Sequence, residues 1–185
     1  MPDFFILSAA TSVEEYVAPD SSLRVLENGC LTSEFQFLDH APLEVAVDPE
    51  RGEEYPDFLL NDDIPLVSDR FYRLLVDAGV DNLFYKPVTL KDDELRRCEP
   101  YWLALPPRIR ALSDRSTITV DEDEDLAPEE WMREATHIVI APARVGNFQM
   151  FRLADVVNQE IIITKGLKER IERASFTNIF FTPLE

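Results

Sequence analysis

A run of carboxylates has the spacing that comes closest to a recognisable chemical site. Residues 121–125 read Asp-Glu-Asp-Glu-Asp, and alternating aspartates open the calcium-binding loop of an EF-hand. That loop also needs a glycine and a bidentate glutamate, but Leu126 and Met132 stand at those two positions. The spacing therefore predicts no calcium site. The run is either a solvated acidic loop or an acidic loop that faces a partner.

Histidine, cysteine and glycine show none of the spacings that catalytic or metal sites require. His40 and His137 are isolated, and Cys30 and Cys98 are too far apart in sequence for a zinc or redox motif. Gly146 lacks the companion glycines of a phosphate-binding loop. Carboxylates are abundant, but a catalytic pair is defined by environments that separate two pKa values, and a sequence does not show environments. We therefore predict no catalytic residues, no metal site and no cofactor.

The formal net charge of −18 limits the partners that the chain can attract. At neutral pH such a chain repels nucleic acids and anionic membranes and favours basic proteins. Arg108, Arg110 and Arg115 lie close to the aromatic Trp102, a grouping that also occurs in nucleic-acid sites. In so acidic a chain, internal ion pairs are the better interpretation of these arginines. Solubility is the simpler interpretation of the negative charge itself.

One aromatic residue stands beside the acidic run. Trp131 falls in a segment predicted as a short helix, about Glu129–Ala135, because Pro128 suits the first turn of a helix. Tryptophan is overrepresented among binding anchors, although such a residue more often belongs to a core. We predict that partner contacts are made by these residues: Asp121, Glu122, Asp123, Glu124 and Trp131.

The cellular location is predicted from the termini and the cysteines. The first apolar run has no basic residue before it and is too short for a signal sequence, so we interpret it as a first strand, Phe4–Ser8. No stretch is long enough to cross a membrane. Two widely separated cysteines suit a reducing cytoplasm, although one disulfide between Cys30 and Cys98 stays compatible with the sequence. We therefore predict a cytoplasmic protein.

Two stretches with the same order of residue types organise the chain. Residues 64–88 read IPLVSDRFYRLLVDAGVDNLFYKPV, and residues 160–184 read EIIITKGLKERIERASFTNIFFTPL. When Ser68 is aligned with Thr164, Asn82 meets Asn178. Each stretch predicts a strand, a helix capped by a hydroxyl side chain, and a second strand. The stretches are either an internal duplication or a common strand–helix–strand unit that occurs twice.

The fold class follows from these stretches and the segments around them. We predict an α+β protein with a mostly antiparallel or mixed sheet, the two related units at about 64–88 and 160–184, and few helices. Residues 90–100 are charged and are predicted to form a loop. Further strands are predicted at Leu43–Val47, Tyr101–Leu105, Ser116–Val120 and Phe148–Leu153. We expect one domain, 1–185, in which an N-terminal lobe of residues 1–58 precedes a core of residues 59–185.

Four pieces of sequence, in a fixed order, resemble a known family. They are IPLVSDRFYRLLVDAGVDNLFYKPV, YWLAL, MFRLAD and IIITKGLKERIERASFTNIFFTPLE, and they resemble the bacterial immunity-protein family eleven, formerly a domain of unknown function. The resemblance covers about Leu59 to the C-terminus. The chain departs from the family pattern at Pro106-Pro107, which interrupts a strand, and at the acidic run Asp121–Asp125.

The resemblance implies a function, since this family is associated with polymorphic toxin loci. It implies a non-enzymatic protein that binds a cognate toxin, which the chain's own charge predicts to be basic, and neutralises it by forming a complex. Two alternatives stay open at this point. In the first alternative, the chain is a cytoplasmic inhibitor or holding partner of a secreted enzyme. In the second, it is an enzyme of unknown type. The oligomeric state is not predicted by any of these features.

Overall fold

The computed structural model describes residues 3–10, 16–19, 43–48, 51–61, 63–93, 96–121 and 131–185. Within these residues the strands are β1 (Phe4–Ser8), β2 (Leu43–Ala46), β3 (Phe58–Asn61), β4 (Ile64–Ser68), β5 (Phe84–Asp92), β6 (Arg97–Leu105), β7 (Arg108–Ile109), β8 (Thr117–Asp121), β9 (Met132–His137), β10 (Met150–Leu153), β11 (Ile161–Thr164) and β12 (Phe180–Pro183). The helices are α1 (Asp69–Asp77), α2 (Pro142–Val145) and α3 (Lys165–Ala174). None of the described helices is long and apolar enough to cross a bilayer.

The strands form two five-stranded sheets and one separate hairpin. The first sheet has the order β12-β1-β11-β10-β7, and the second has the order β2-β5-β6-β4-β3. Neighbouring strands are antiparallel except at one edge of each sheet, where β7 pairs with β10 and β2 pairs with β5 in parallel. The hairpin consists of β8 and β9. The predicted α+β class, with mixed sheets and few helices, is confirmed for the described residues.

The two related stretches take comparable places in the two sheets. β4 and β5 flank β6 in the second sheet, and β11 and β12 flank β1 in the first. The two strands of a stretch therefore do not pair with each other, because a third antiparallel strand lies between them. Both predicted helix caps form: Phe71 N donates to Ser68 Oγ over 3.2 Å, and Leu167 N donates to Thr164 Oγ1 over 3.4 Å.

The hydrophobic core is divided by the sheets into three clusters. Side chains alternate along each strand, so that Phe5 and Leu7 of β1 face one cluster while Phe4 and Ile6 face another. The first cluster joins both sheets to α1 and α3, whose buried residues are Phe71, Leu75, Leu167 and Ile171. The second and third clusters cover the opposite faces of the second and first sheets. Both helices therefore rest on a layer that the two sheets share.

Pro106-Pro107 marks the point where the chain passes from one sheet to the other. β6 ends at Leu105 in the second sheet, and β7 begins at Arg108 in the first. A proline has no N–H to donate to a ladder, but Pro107 O still accepts from Arg152 N over 2.8 Å. The interruption that the sequence shows is therefore a crossing between sheets.

The prediction of a loop at residues 90–100 is wrong for residues 90–92 and 97–100, which belong to β5 and β6. β5 and β6 form a long hairpin with nine paired positions, from Phe84–Leu105 to Asp92–Arg97. The apolar alternation that defines a strand is present, since Val88 and Leu90 are buried. Charged residues at the exposed end of the hairpin obscured it in the sequence. Lys91 pairs with Glu44 of the neighbouring β2 at 2.6 Å.

Candidate functional site

The β8–β9 hairpin carries both described ends of the predicted contact segment. Asp121 is the exposed last residue of β8 and lies opposite Met132, the first residue of β9. Trp131 is half-buried and directly precedes β9. The structure therefore brings Asp121 and Trp131 to the same end of the hairpin. The other predicted contact residues, Glu122, Asp123 and Glu124, lie outside the described residues.

The local sequence of the hairpin explains why it is β-structure. Thr117, Ile118 and Val120 are β-branched and favour a strand, and β9 supplies the partner that completes the ladder. The predicted helix over about Glu129–Ala135 is wrong where it is described, because Met132–His137 is β9. Helix-start signals are weak local preferences, and the hydrogen bonds that β9 makes with the β-branched strand β8 outweigh them.

One face of the hairpin rests on the protein and the other faces outward. Ile118 and Ala135 lie opposite each other, and both contribute to the third core cluster. Alternation places Thr119, Asp121, Met132 and Glu134 on the outward face. Met132 is 56% exposed, which is unusual for so large an apolar side chain. The outward face therefore combines an accessible apolar group with two carboxylates.

The segment before β11 fixes the hairpin to the first sheet. Val157 N donates to Arg133 O over 2.8 Å. The Asn158 side chain serves both backbone groups of Ala135: Oδ1 accepts from Ala135 N over 2.7 Å, and Nδ2 donates to Ala135 O over 3.2 Å. These bonds give the backbone groups of Arg133 and Ala135 the partners that a neighbouring strand would otherwise supply. They hold the hairpin end in a defined position relative to the first sheet.

An acidic recess lies beside the anchored edge of the hairpin. Its cavity volume is about 360 Å³, and Asp63, Glu134 and Glu160 supply carboxylates to its lining. Glu160 accepts a hydrogen bond from Asn158 Nδ2 over 3.2 Å. The negative surface therefore continues from Asp121 through Glu134 into this recess. Sequence reasoning missed Asp63 and Glu160, because no local pattern shows that residues so distant in the chain meet here.

Two arginines support the floor of this region from within. Arg152 is almost fully buried and donates to Gln159 Oε1 over 3.1 Å and to the backbone oxygen of Asp63. Arg108 donates to the same Gln159 oxygen over 2.6 Å. Arg110 pairs with Asp155 at 3.2 Å, but its side chain is 85% exposed, so this ion pair lies at the surface. Arg108 is thus engaged by neighbouring groups of the chain, and Arg110 is only loosely held.

The described residues hold no group of three or more histidine, cysteine, aspartate or glutamate side chains that could bind a metal ion. His137 lies 3.7 Å from the Glu185 carboxylate at the surface, and Cys98 is an exposed free thiol. The arrangement offers an exposed acidic and apolar surface that is hydrogen-bonded to the segment before β11. Such a surface suits the binding of a basic protein.

Comparison with known proteins gave one family. A family model described as "Immunity protein family (Imm11)" matches residues 9–185, which is nearly the whole chain. The match extends beyond the resemblance seen in the sequence, because it also includes the segment before Leu59. No curated protein matches the chain.

Proposed function

Because the chain belongs to the immunity protein family Imm11, we propose that it neutralises a cognate bacterial toxin by binding it. The match over residues 9–185 is the observation that carries this proposal. A protein of this kind needs surface complementarity, and the complex itself blocks the toxin. In this proposal the chain is not an enzyme.

The proposed contact surface is the outward end of the β8–β9 hairpin. Its two described members are Asp121 and Trp131. In this proposal Glu122, Asp123 and Glu124, which follow Asp121 in the sequence, complete it. The exposed Met132, which lies opposite Asp121 and follows Trp131, supports the proposal, since methionine and tryptophan are enriched in protein interfaces. The hairpin end inserts into the active cleft of the toxin and excludes its substrate.

In this proposal the acidic recess extends the contact surface and binds a basic side chain of the toxin. A lysine or arginine of the toxin would enter the recess and meet Asp63, Glu134 and Glu160. Charge-assisted hydrogen bonds to carboxylates are roughly twice as strong as neutral ones. The hairpin end supplies apolar contact, and the recess fixes the orientation of the complex.

The net charge of −18 supports a basic toxin as the partner. Complementary charges speed diffusional encounter by 10- to 1,000-fold at low salt. Fast association matters to a producing cell, because the toxin must be captured before it acts. The same charge disfavours nucleic acids and anionic membranes as partners.

The proposed complex forms in the cytoplasm of the producing bacterium. The exposed thiol of Cys98 is compatible with a reducing compartment. The chain acts as a single domain, 1–185, in this proposal. Side chains of the described residues connect the sheets directly, as in the bond from Arg152 of the first sheet to the backbone of Asp63.

We further interpret residues 64–88 and 160–184 as related units. Each contains a strand, a helix capped by Ser68 or Thr164, and a second strand that is separated from the first by one other strand of the same sheet. The asparagines that align in sequence, Asn82 and Asn178, also make comparable bonds. A duplicated unit explains these coincidences together.

The test of the proposed function is calorimetric titration against the purified product of the neighbouring gene. We expect tight one-to-one binding at physiological salt, with an affinity that falls as salt rises. An unrelated basic protein of similar size and charge is the matched control, and it should show no saturable binding. If the two proteins bind alike, the interaction is only non-specific charge attraction and the proposal fails.

A further inference from the structure

The helices α1 and α3 enclose a groove on the face of the molecule that they cover. Its cavity volume is about 820 Å³, and both helices line it. Its apolar lining comes from Leu74, Ala78, Ala174 and Phe176. The helices are held together beneath it, since the rings of Phe71 and Phe176 lie 4.8 Å apart and Phe71 and Ile171 share the first core cluster. The two walls of this open groove are therefore joined through the core beneath it.

The walls of this helical groove are rich in arginine. Two arginines come from each helix, and two aspartates accompany them: Arg70, Arg73, Arg170, Arg173, Asp69 and Asp77. The chain as a whole has twice as many acidic as basic residues, 36 against 18. In this lining four arginines stand against two aspartates, which reverses the balance of the chain as a whole. The lining would attract a partner that the remaining surface repels.

The four arginines differ in how far the protein already uses them. Arg70 is bound to Asp57 at 2.7 Å and lies over the Phe176 ring at 4.5 Å. Arg73 pairs with Asp69 at 2.7 Å, an exposed contact one helical turn away. Arg70 is thus a structural part of the groove wall, while Arg73 is only weakly held.

The two arginines of α3 have guanidinium N–H groups that make no hydrogen bond to the described residues. Among the described residues, the Arg173 side chain makes one hydrogen bond, in which its Nε donates to Glu169 O over 3.0 Å. Within the described part of the chain, the Arg170 side chain makes no hydrogen bond or ion pair. A guanidinium presents a fixed fork of donors that matches a carboxylate in two-point contact. Arg170 and Arg173 are one helical turn apart, so they can bind two carboxylates at helical spacing.

The α1 wall contributes the apolar Leu74 and Ala78 in addition to its two arginines. When the two stretches are aligned, Leu74 of α1 takes the position of Arg170 in α3. A ligand that fits between them needs apolar side chains on one side and carboxylates on the other. The space between two neighbouring helices is also the place where a third helix packs by its ridges. These requirements describe an acidic amphipathic helix.

We propose that the helical groove binds an acidic amphipathic helix of a partner protein. Its carboxylates pair with Arg170 and Arg173, and its apolar side chains rest on Leu74, Ala78 and Phe176. A nucleic acid fits less well, because its long polyanion would extend over the surrounding acidic surface. This surface is separate from the hairpin end and does not depend on the proposed function.

The test uses a synthetic fluorescein-labelled helical peptide with glutamates beside a leucine stripe, measured by fluorescence anisotropy at low salt. We expect saturable binding, weakened about tenfold or more when glutamines replace the glutamates. The variant R170Q/R173Q should lose binding to the same degree. The matched control is R115Q, which removes an exposed arginine outside the groove and should bind as the wild type does.

Three results would overturn the proposal. The first is no binding of the glutamate peptide, and the second is equal binding by R170Q/R173Q and R115Q. The third involves a single-stranded oligonucleotide of the same charge as the peptide. If it binds more tightly than the peptide and R170Q/R173Q abolishes that binding, the groove is a nucleic-acid site instead.

Discussion

Asn82 and Asn178 make hydrogen bonds in opposite directions between the two sheets. Asn82, before β5 of the second sheet, donates to Met150 O of the first sheet over 3.1 Å. Asn178, before β12 of the first sheet, donates to Phe58 O of the second sheet over 2.9 Å. Each sheet thus satisfies a backbone carbonyl of the other, so the sheets should unfold together.

Replacing Asn178 with alanine tests this connection. Asn178 is buried, and its Oδ1 also accepts from Ala10 N over 2.9 Å, so the change leaves buried backbone groups without partners. We expect the free energy of unfolding to fall by about 2–3 kcal/mol in urea titrations. Asn82→Ala is the comparison, with a smaller loss, because Asn82 is only half-buried and lacks the positive φ of 58° that strains an alanine at position 178. A loss for Asn178→Ala no larger than for Asn82→Ala would contradict the account.

The environment of Asp57 predicts that the free energy of unfolding depends on pH. Burial alone would raise the pKa of Asp57, but hydrogen bonds from Thr177 N, Ser68 Oγ and Arg70 outweigh it and lower this pKa. A lowered folded-state pKa adds stability above the unfolded value of about 3.9, and this stability is lost as pH falls through the folded value. We expect Asp57→Asn to cost about 2 kcal/mol at pH 7 and less at about pH 3, which is below the unfolded value.

The measurement is urea unfolding of both proteins at the two pH values. Asp114→Asn is the control, since Asp114 is highly exposed and pairs only loosely with Arg144 at 3.3 Å. Its effect on the free energy of unfolding should be small at either pH. An Asp57→Asn effect that is the same at both pH values would show that its charge does not contribute.

Neutralising the acidic run should slow toxin association. The variant carries Asp121→Asn, Glu122→Gln, Asp123→Asn and Glu124→Gln. We expect the association rate constant at low salt to fall about tenfold and its salt dependence to flatten, as measured by stopped-flow fluorescence. The matched control neutralises four exposed acids elsewhere: Glu53, Asp81, Asp93 and Glu169. Equal slowing by both variants would mean that only the total charge matters.

Truncating Trp131 should instead speed dissociation. If Trp131 anchors the toxin, Trp131→Ala loses roughly 2 kcal/mol of binding free energy, which is about a 30-fold faster dissociation. Surface plasmon resonance measures this rate, and a thermal unfolding scan shows whether the variant is still folded. Phe180→Ala is the control, because Phe180 is an exposed aromatic residue in β12. A Trp131→Ala complex that dissociates at the wild-type rate would remove Trp131 from the proposed surface.

The elements that local sequence determines were predictable. Ser68 and Thr164 cap the helices as their hydroxyl groups predict, and Gly79 has a φ of 75° just after α1. β1 and the apolar parts of β5 and β6 also follow from their residue types. In each case the deciding interactions lie within a few residues of each other in the chain.

The features that depend on distant partners were not predictable. Met132–His137 has helix-start signals before it, yet it forms a strand because Thr117–Asp121 pairs with it. The acidic recess joins Asp63 to Glu134 and Glu160, and the helical groove joins Leu74 to Arg170. No periodicity in one segment shows which other segment will face it, so both surfaces became visible only in the fold.

The most direct test of the central claim is the activity of the toxin itself. The purified product of the neighbouring gene is assayed for toxin activity with increasing amounts of the protein at physiological salt. We predict that activity falls linearly and reaches zero at one equivalent, because the proposed complex blocks the active cleft. A toxin that stays fully active in the presence of a saturating excess of the chain would contradict the account.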